Sequence, residues 1–356
     1  MLRTITLAVL GCSLLSVVVA GHQQEEATTT NRDPRQLRSA RHALIDGGYA
    51  TGEIVSKTMF GTVGKQLRVV WRAKPAEGDC VISLFSIFNS DLLFATNIPD
   101  SQKPPWTEIA IETFGGSAGN SQKQFQTQYI SQSNSNAPPT QRGQQHVVNH
   151  FTSQADIPDI YDGKFHNFEI RWEPKDGNKD SRIWYLLDGK TIRSVNGGDA
   201  NLLVPPLDIY AGVWTANKNS GWACTARRRQ RRELQQSGYC NYSGCNGQEQ
   251  GGSWCNQNSS RCTGSCGGTW CTGSTGGGGG TPDFEEQVEV QYIRVWEKPT
   301  SGGGFTRIAN YQFSNQNDVT NNFVISDWTF GSFDGAFDAS AVAVDDNTLL
   351  LGVLEN

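Results

Sequence analysis

From Asp46 onward the apolar residues come in short runs, and no stretch carries the spacing of a helix face. QLRVVWRAK, CVISLFSIF, TEIAIETF, FQTQYI, FHNFEIRWEP, RIWYLLDGKTIRSV, LDIYAGVW and VEVQYIRVWEK are each about strand length and rich in Val, Ile, Phe, Tyr and Trp. Clusters of Gly, Pro, Asn and Asp separate them. In FHNFEIRW, His166, Phe168, Ile170 and Trp172 alternate with Phe165, Asn167, Glu169 and Arg171, which assigns Trp172 to a core. Trp184 is assigned to the core on the same ground. Asp188-Gly189, between RIWYLL and KTIRSV, is the signature of a two-residue hairpin turn. Ribbons of this kind bury their apolar faces against one another, so the chain is predicted to be all-β, an antiparallel β-sandwich of two stacked sheets. Low charge (18%) and 39 Gly residues exclude a helical bundle or coiled coil. A formal net charge of -5 excludes a general nucleic-acid binder, which carries a basic surplus.

The two flanks of that pattern read differently. Residues 1–20 have Arg3, an apolar run from Ile5 to Val19, and small residues at Val18 and Ala20, the form of a cleaved secretory signal. The run is short for a bilayer span, and no later stretch is apolar enough to be one. After cleavage no membrane segment is expected, and the mature chain is predicted to be secreted, extracellular or in a cell wall, and monomeric. Residues 21–43 are polar, with almost no core-forming residue, and read as a disordered lead-in. At 223–280 the strand pattern breaks for a cysteine-rich insertion holding Cys224, Cys240, Cys245, Cys255, Cys262, Cys266 and Cys271. It has no apolar periodicity, so disulfides must hold it. CxxC spacing and His are both missing from it, which argues against zinc. The number of Cys in it is odd, so Cys80 is the candidate that ties it to the sandwich. Asn241 (NYS) and Asn258 (NSS) are glycosylation sequons. Arg227 to Arg232 (RRRQRR) reads as a cleavage site, an anionic-polymer contact or a solvated loop.

The chemistry concentrates in WTEIAIETF. A strand there places Glu108, Ala110 and Glu112 on one face, with Ile109 and Ile111 turned to the core. Neighbouring carboxylates resist simultaneous ionisation. One then serves as a nucleophile and the other, protonated, as a general acid. Retaining glycoside hydrolysis needs this pair, with carboxyl groups about 5–5.5 Å apart. The alternative is a strand face with two solvated glutamates. Trp106, Trp214 and Trp222, with Tyr129 beside them, are candidates to stack on sugar rings. Gln126 and Gln128, on the following strand, are candidates to bind sugar hydroxyls. His146, His150 and His166 have no companion pattern for catalysis. The chemistry needs no cofactor, and no metal-ligand run is visible.

WTEIAIETFGG resembles the active-site strand Glu-Ile-Asp-Ile-Glu of glycoside hydrolase family sixteen, the laminarinases, lichenases and related transglycosylases. The resemblance continues in order. It runs through MFGTVGKQLRVVWRAKPAEGDCVISLFSIF, QFQTQYI, DGKFHNFEIRWEP, RIWYLLDGKTIRSV, PLDIYAGVWTA and VEVQYIRVWEK, over about residues 46–222 and 284–298. It implies a concanavalin-like jelly roll acting on a polysaccharide, a β-glucan, with Glu108 as nucleophile and Glu112 as acid/base. His166 falls in the family's Phe-His segment, which implies a structural role. The departure is Ala110, where the family has an Asp that tunes the nucleophile. The resemblance therefore implies either an active β-glucanase or transglycosylase, or a catalytically weakened carbohydrate-binding wall protein.

Nothing before Asp46 resembles the family's opening strands. AVAVDDNTLLLGVLE in the tail does, with a turn at Asp345-Asp346-Asn347. The expected organisation is a family-sixteen-like sandwich over 44–298 and a C-terminal segment, 299–356, that supplies those strands by circular permutation. A truncated second copy, or a tail cut short, would leave the same trace. Permutation requires Leu349 to Val353 to pair with the sandwich near Gly52 to Ser56.

Overall fold

The computed structural model describes residues 49–78, 80–94, 97–118, 123–132, 143–151, 154–216, 286–327 and 335–355. The expected signal, lead-in and cysteine-rich insertion, with its sequons and arginine run, lie outside the described residues. In chain order the strands are β1 (Tyr49–Thr51), β2 (Glu53–Ser56), β3 (Lys65–Lys74), β4 (Val81–Phe88), β5 (Thr107–Ala118), β6 (Lys123–Ser131), β7 (Gln144–Phe151), β8 (His166–Glu173) and β9 (Arg182–Leu187). β10 (Lys190–Asn196), β11 (Asp208–Thr215), β12 (Glu286–Pro299), β13 (Thr306–Gln312), β14 (Phe323–Ile325), β15 (Gly335–Phe337), β16 (Val342–Asp345) and β17 (Thr348–Glu355) follow. Among the described residues two short α-helices, α1 (Ser90–Phe94) and α2 (Gln316–Asn322), interrupt them.

Among the described residues the strands form two sheets, as the strand-length runs predict. The smaller has the order β14-β2-β11-β4-β5-β6-β7; the larger runs β10-β9-β8-β3-β12-β17-β1-β15, with β13 beside β12 and β16 beside β17. Every ladder is antiparallel except the three-residue pairing of β1 with β15. This is a jelly-roll sandwich. The core lies between the sheets, where alternate residues of each strand turn inward. Phe85 of the smaller sheet stacks on Phe168 of the larger at 4.6 Å, with Trp71 6.2 Å from Phe85. Buried aromatics of this size carry much of the driving force of a sandwich. Trp172 joins this core, whereas Trp184 does not. Trp184 lies opposite Arg171 and Ser194 on the outer side of the larger sheet and is half-buried, while its neighbours Ile183 and Tyr185 take the inward positions.

Both predicted turns form. Asp188 and Gly189 have φ of 50° and 82° between the paired Leu187 and Lys190, and Asp346 and Asn347 have φ of 41° and 57° between Asp345 and Thr348. Positive φ at both central residues is the hairpin geometry that matches strand twist. α2 is a local exception to the strand pattern, held by a capping box: Asn315 Oδ1 accepts from the Asn317 N–H, and Asp318 Oδ2 accepts from the Asn315 N–H.

The tail enters the middle of the larger sheet. β17 lies between β12 and β1, with Val353 opposite Thr51 and Glu355 opposite Tyr49. The Gly52 N–H donates to the Gly352 carbonyl at 3.0 Å. A Cβ on Gly52 would stand 2.3 Å from the Ala341 carbonyl oxygen, so this close approach of two backbones admits only glycine. Leu349, Leu351 and Val353 are fully buried in the shared core. Cys80, at the entry to β4, is disulfide-bonded to a partner outside the described residues.

Candidate active site

β5 is an interior strand of the smaller sheet, between β4 and β6, and its alternation is the expected one. Ile109 and Ile111 enter the core; Glu108, Ala110 and Glu112 turn to the outer face. Register across the sheet sorts that face into rows. Phe88, Glu108 and Ile130 form one row. The next holds Val55, Tyr210, Ser86, Ala110, Gln128 and Val147, and the next Glu53, Gly212, Leu84, Glu112, Gln126 and Asn149. Ser86, Ala110 and Gly212 give the two inner rows a low floor. Larger side chains stand on either side. Phe88, Trp106, Ile130 and Tyr210 pack together with Leu93 beyond Glu108, and Ile82, Phe114 and Trp214 pack with Cys80 beyond Glu112.

The two carboxylates are 9% and 7% exposed, which for a charged group demands partners. Glu108 Oε2 accepts from the indole Nε1 of Trp106 at 3.2 Å. Glu112 is clamped by two amides: Gln126 Nε2 donates to Oε2 at 2.5 Å and Gln128 Nε2 to Oε1 at 2.7 Å. Gln145 of β7 donates in turn to Gln128 Oε1, which fixes the amide so that its NH2 faces Glu112. Each N–H stabilises negative charge on the oxygen it meets. Ala110, fully buried between the two glutamates, supplies no polar contact to either.

The strand start is pinned by its neighbours. Asn89 Oδ1 accepts from the Thr107 N–H at 3.0 Å, and Gln132 Oε1 accepts from the Trp106 N–H at 3.1 Å. β6 is held from the core side. The Tyr185 hydroxyl donates to the Gln128 carbonyl at 2.6 Å, and Arg193 Nη1 donates to the Thr127 carbonyl at 2.6 Å. The Tyr185 phenol is pushed well above its ordinary range, first by burial, with the Glu108 charge adding to the effect.

Of the residues singled out from the sequence, Glu108, Glu112, Trp106, Gln126 and Gln128 come together. Trp214 lies on the same face, on β11, with its ring in the flanking apolar cluster. Trp222 lies outside the described residues. Tyr129 does not belong: one position on from Gln128, it points into the core and stacks on His146 at 4.3 Å. Strand parity alone excludes it from the Gln126 and Gln128 face. The histidines also stay apart from the glutamates. His150 stacks on Phe125, and burial, with the Arg193 charge, lowers its pKa to about 4, so it is neutral. His166 sits between Asp188 (2.8 Å) and Asp162 (3.1 Å), and the Asp188 hydrogen bond raises its pKa. Two acidic residues on this face were not singled out: Asp208, fully buried opposite Phe88 in the row of Glu108, and Glu53. Glu53 is buried, in the row of Glu112, and accepts from Ser326 Oγ at 2.6 Å. Its side chain lies over Gly212, where a Cβ would stand 3.2 Å from Glu53 Cγ. Among the described residues no group of His, Cys, Asp and Glu is arranged to hold a metal ion.

A family model for the glycosyl hydrolases of family 16 matches residues 24–231. The chain belongs to glycosyl hydrolase family 16. The match takes in both glutamates of β5 and begins inside the segment read from sequence as a lead-in. Among solved structures, this family-16 chain is similar to a prokaryotic beta-1,3-1,4-glucanase (lichenase) from a mouse hindgut metagenome, at 20% identity over 49% of this chain and 62% of that one, TM-score 0.33. It is also similar to the Crh5 transglycosylase (16% identity, 51% of this chain and 66% of that one, TM-score 0.32). A third is an endo-beta-1,3-glucanase from Pyrococcus furiosus (14% identity, 49% and 66%, TM-score 0.30). The chain thus spans less than two thirds of the length of each. No curated protein matches it.

Proposed function

We propose that this protein is a secreted, retaining glycoside hydrolase acting on β-glucan with β-1,3 or mixed linkages, or a transglycosylase on the same polymer. The observation that carries the reading is the pair Glu108 and Glu112 on one outward face of β5, over a floor of Ser86, Ala110 and Gly212, in a chain of family 16. Glu108 is the nucleophile. Its carboxylate oxygen bonds to the anomeric carbon as the glycosidic bond breaks, and the leaving oxygen takes the proton of Glu112. Water, or a hydroxyl of a second sugar, then gives its proton to Glu112 and displaces Glu108. Trp106 steadies the Glu108 charge before attack. Gln126 and Gln128 hold the Glu112 carboxylate that the first step leaves behind. The apolar residues at 1–20 and the disulfide at Cys80 support export to an oxidising compartment.

A second reading, a glucan-binding protein with weak or no turnover, is favoured by two observations. Ala110 leaves the glutamates without the bridging carboxylate of the family pattern. Both Glu112 oxygens also accept amide N–H groups, a setting that suits the charged form better than the acid. The test is release of reducing ends from laminarin, mixed-linkage glucan and xyloglucan, with Glu108→Gln and Ala110→Asp beside the parent. Turnover that vanishes in Glu108→Gln supports the enzyme, and the preferred polymer names its substrate. A silent parent with activity gained in Ala110→Asp means a site disabled at that one position and favours the binding protein.

A further inference from the structure

The outer face of the larger sheet is chemically unlike the face that carries the glutamates. Leu67, Val69 and Trp71 of β3 and Ile293 and Val295 of β12 turn into the core, so Arg68, Arg72, Tyr292, Arg294 and Trp296 stand on the outside. Register places Arg307, Trp296, Arg68, Arg171 and Trp184 in one row across β13, β12, β3, β8 and β9. At about 4.8 Å between strands that row is about 19 Å long. Arg294 lies in the adjacent row, and Tyr292 with Arg72 in the one after it.

Two features make this face a prepared cationic surface. The first is an unbalanced charge. Arg68 and Arg171 share a single carboxylate, the buried Glu169, which Arg68 grips through Nε and Nη2 at 2.9 and 2.8 Å. Among the described residues Arg72, Arg294, Lys298 and Arg307 have no carboxylate within ion-pair distance. This excess stands on one face of a chain whose formal net charge is -5. The second feature is orientation. Arg294 lies over the Tyr292 ring at 3.8 Å and Arg68 over the Trp296 ring at 4.6 Å. Arg72 Nε donates to Gln291 Oε1 at 3.0 Å and Arg294 Nε to Asn310 Oδ1 at 2.9 Å. In both, a neutral amide oxygen takes the inner nitrogen. The two terminal nitrogens, the fork that meets a carboxylate or sulfate in bidentate fashion, have no partner among the described residues. Stacking on an aromatic ring holds a guanidinium without neutralising it.

We propose that this face is a second binding site, for an anionic polysaccharide bearing carboxylate or sulfate groups, separate from the glutamate-bearing face. Arg72 and Arg294 grip the anionic substituents, and the half-buried Trp184 and Trp296 at the two sides of the patch receive sugar rings. A polysaccharide fits the patch better than nucleic acid because its charges alternate with apolar ring faces, as the guanidinium groups here alternate with aromatic rings.

The full-length protein is tested by affinity gel electrophoresis at low salt against polygalacturonate, dextran sulfate, neutral laminarin and a DNA duplex. The proteins compared are the parent, the double variant Arg72→Gln with Arg294→Gln, and the charge-preserving pair Arg72→Lys with Arg294→Lys. The parent is expected to be retarded by polygalacturonate or dextran sulfate, and the tighter of the two identifies the substituent. The Gln pair should weaken that retardation about tenfold and leave laminarin binding and the thermal midpoint unchanged. The Lys pair should fall between the two. The proposal is overturned if the parent is not retarded, if the Gln pair behaves as the parent, if the Lys pair binds no better than the Gln pair, or if DNA binds as tightly as the glycan. Added salt should release the parent, because the attraction is between exposed charges.

Discussion

The two outer faces of this sandwich are built from the same ladder geometry and end in opposite chemistry. On the smaller sheet the charged groups are carboxylates, nearly buried, and each is met by a neutral donor: Trp106 on Glu108, Gln126 and Gln128 on Glu112. On the larger sheet guanidiniums predominate, half-exposed; Arg68 and Arg294 lie over aromatic rings, and Arg72 and Arg294 have neutral amides on their inner nitrogens. Burial costs a carboxylate far more than half-exposure costs an arginine, so the first face must be fully paired while the second can leave its forks open. A paired, sheltered face suits chemistry on one bond. An open cationic face suits holding a polymer.

The largest effect that separates the two faces is expected from Glu108→Gln. It should lower turnover on a cleaved glucan about a thousandfold, whereas Arg72→Gln with Arg294→Gln should leave kcat/KM within about twofold. Steady-state rates on one substrate read both, and a large loss from the arginine pair would merge the two sites into one. Leu351→Ala tests what the faces share. The side chain is fully buried in the core between them, and its loss should cost about 3 kcal/mol of stability in denaturant unfolding. Both faces should fail in the same transition; two separate transitions would show that the tail strand is not part of one cooperative unit.

Gln128→Ala should act on the first face alone. It removes one donor from Glu112 and should lower kcat about tenfold, at about 1.5 kcal/mol for a hydrogen bond to a charged group, with the alkaline limb of the pH profile of kcat, which the acid Glu112 sets, displaced upward. An unchanged profile would show that the amide holds only the strand. The smallest effect belongs to neither face. The Asp188 hydrogen bond raises the His166 pKa above its unfolded value, so the pair's stabilisation is complete below about pH 6.5 and is lost as pH rises through the raised value. The thermal midpoint of the parent should therefore fall over that interval, and His166→Gln should flatten the slope.

Much of this was readable before the strands were assembled. The run lengths and turns predicted the sandwich. The alternation in TEIAIETF placed both glutamates on one face, and positive-φ residues at Asp188-Gly189 closed the hairpin. At Tyr129 the sequence already contains the answer, since Gln126 and Gln128 claim the opposite face. Trp184 is a different case. In RIWYLL both alternations are apolar, so nothing local distinguishes the inward Tyr185 from the outward Trp184.

Local sequence thus determined which residues form strands and which two carboxylates share a side, because period-two alternation and turn conformation are decided within a few residues. Only the tertiary structure decided what stands beside them. Glu53 reaches the row of Glu112 by lying over Gly212, Gln145 orients Gln128 from the next strand, and the tail strand, expected from its sequence to join the sandwich, finds its neighbours in β1 and β12. These contacts depend on strand order and register, set by long-range pairing and by the burial of one common core, and no stretch of sequence encodes them alone.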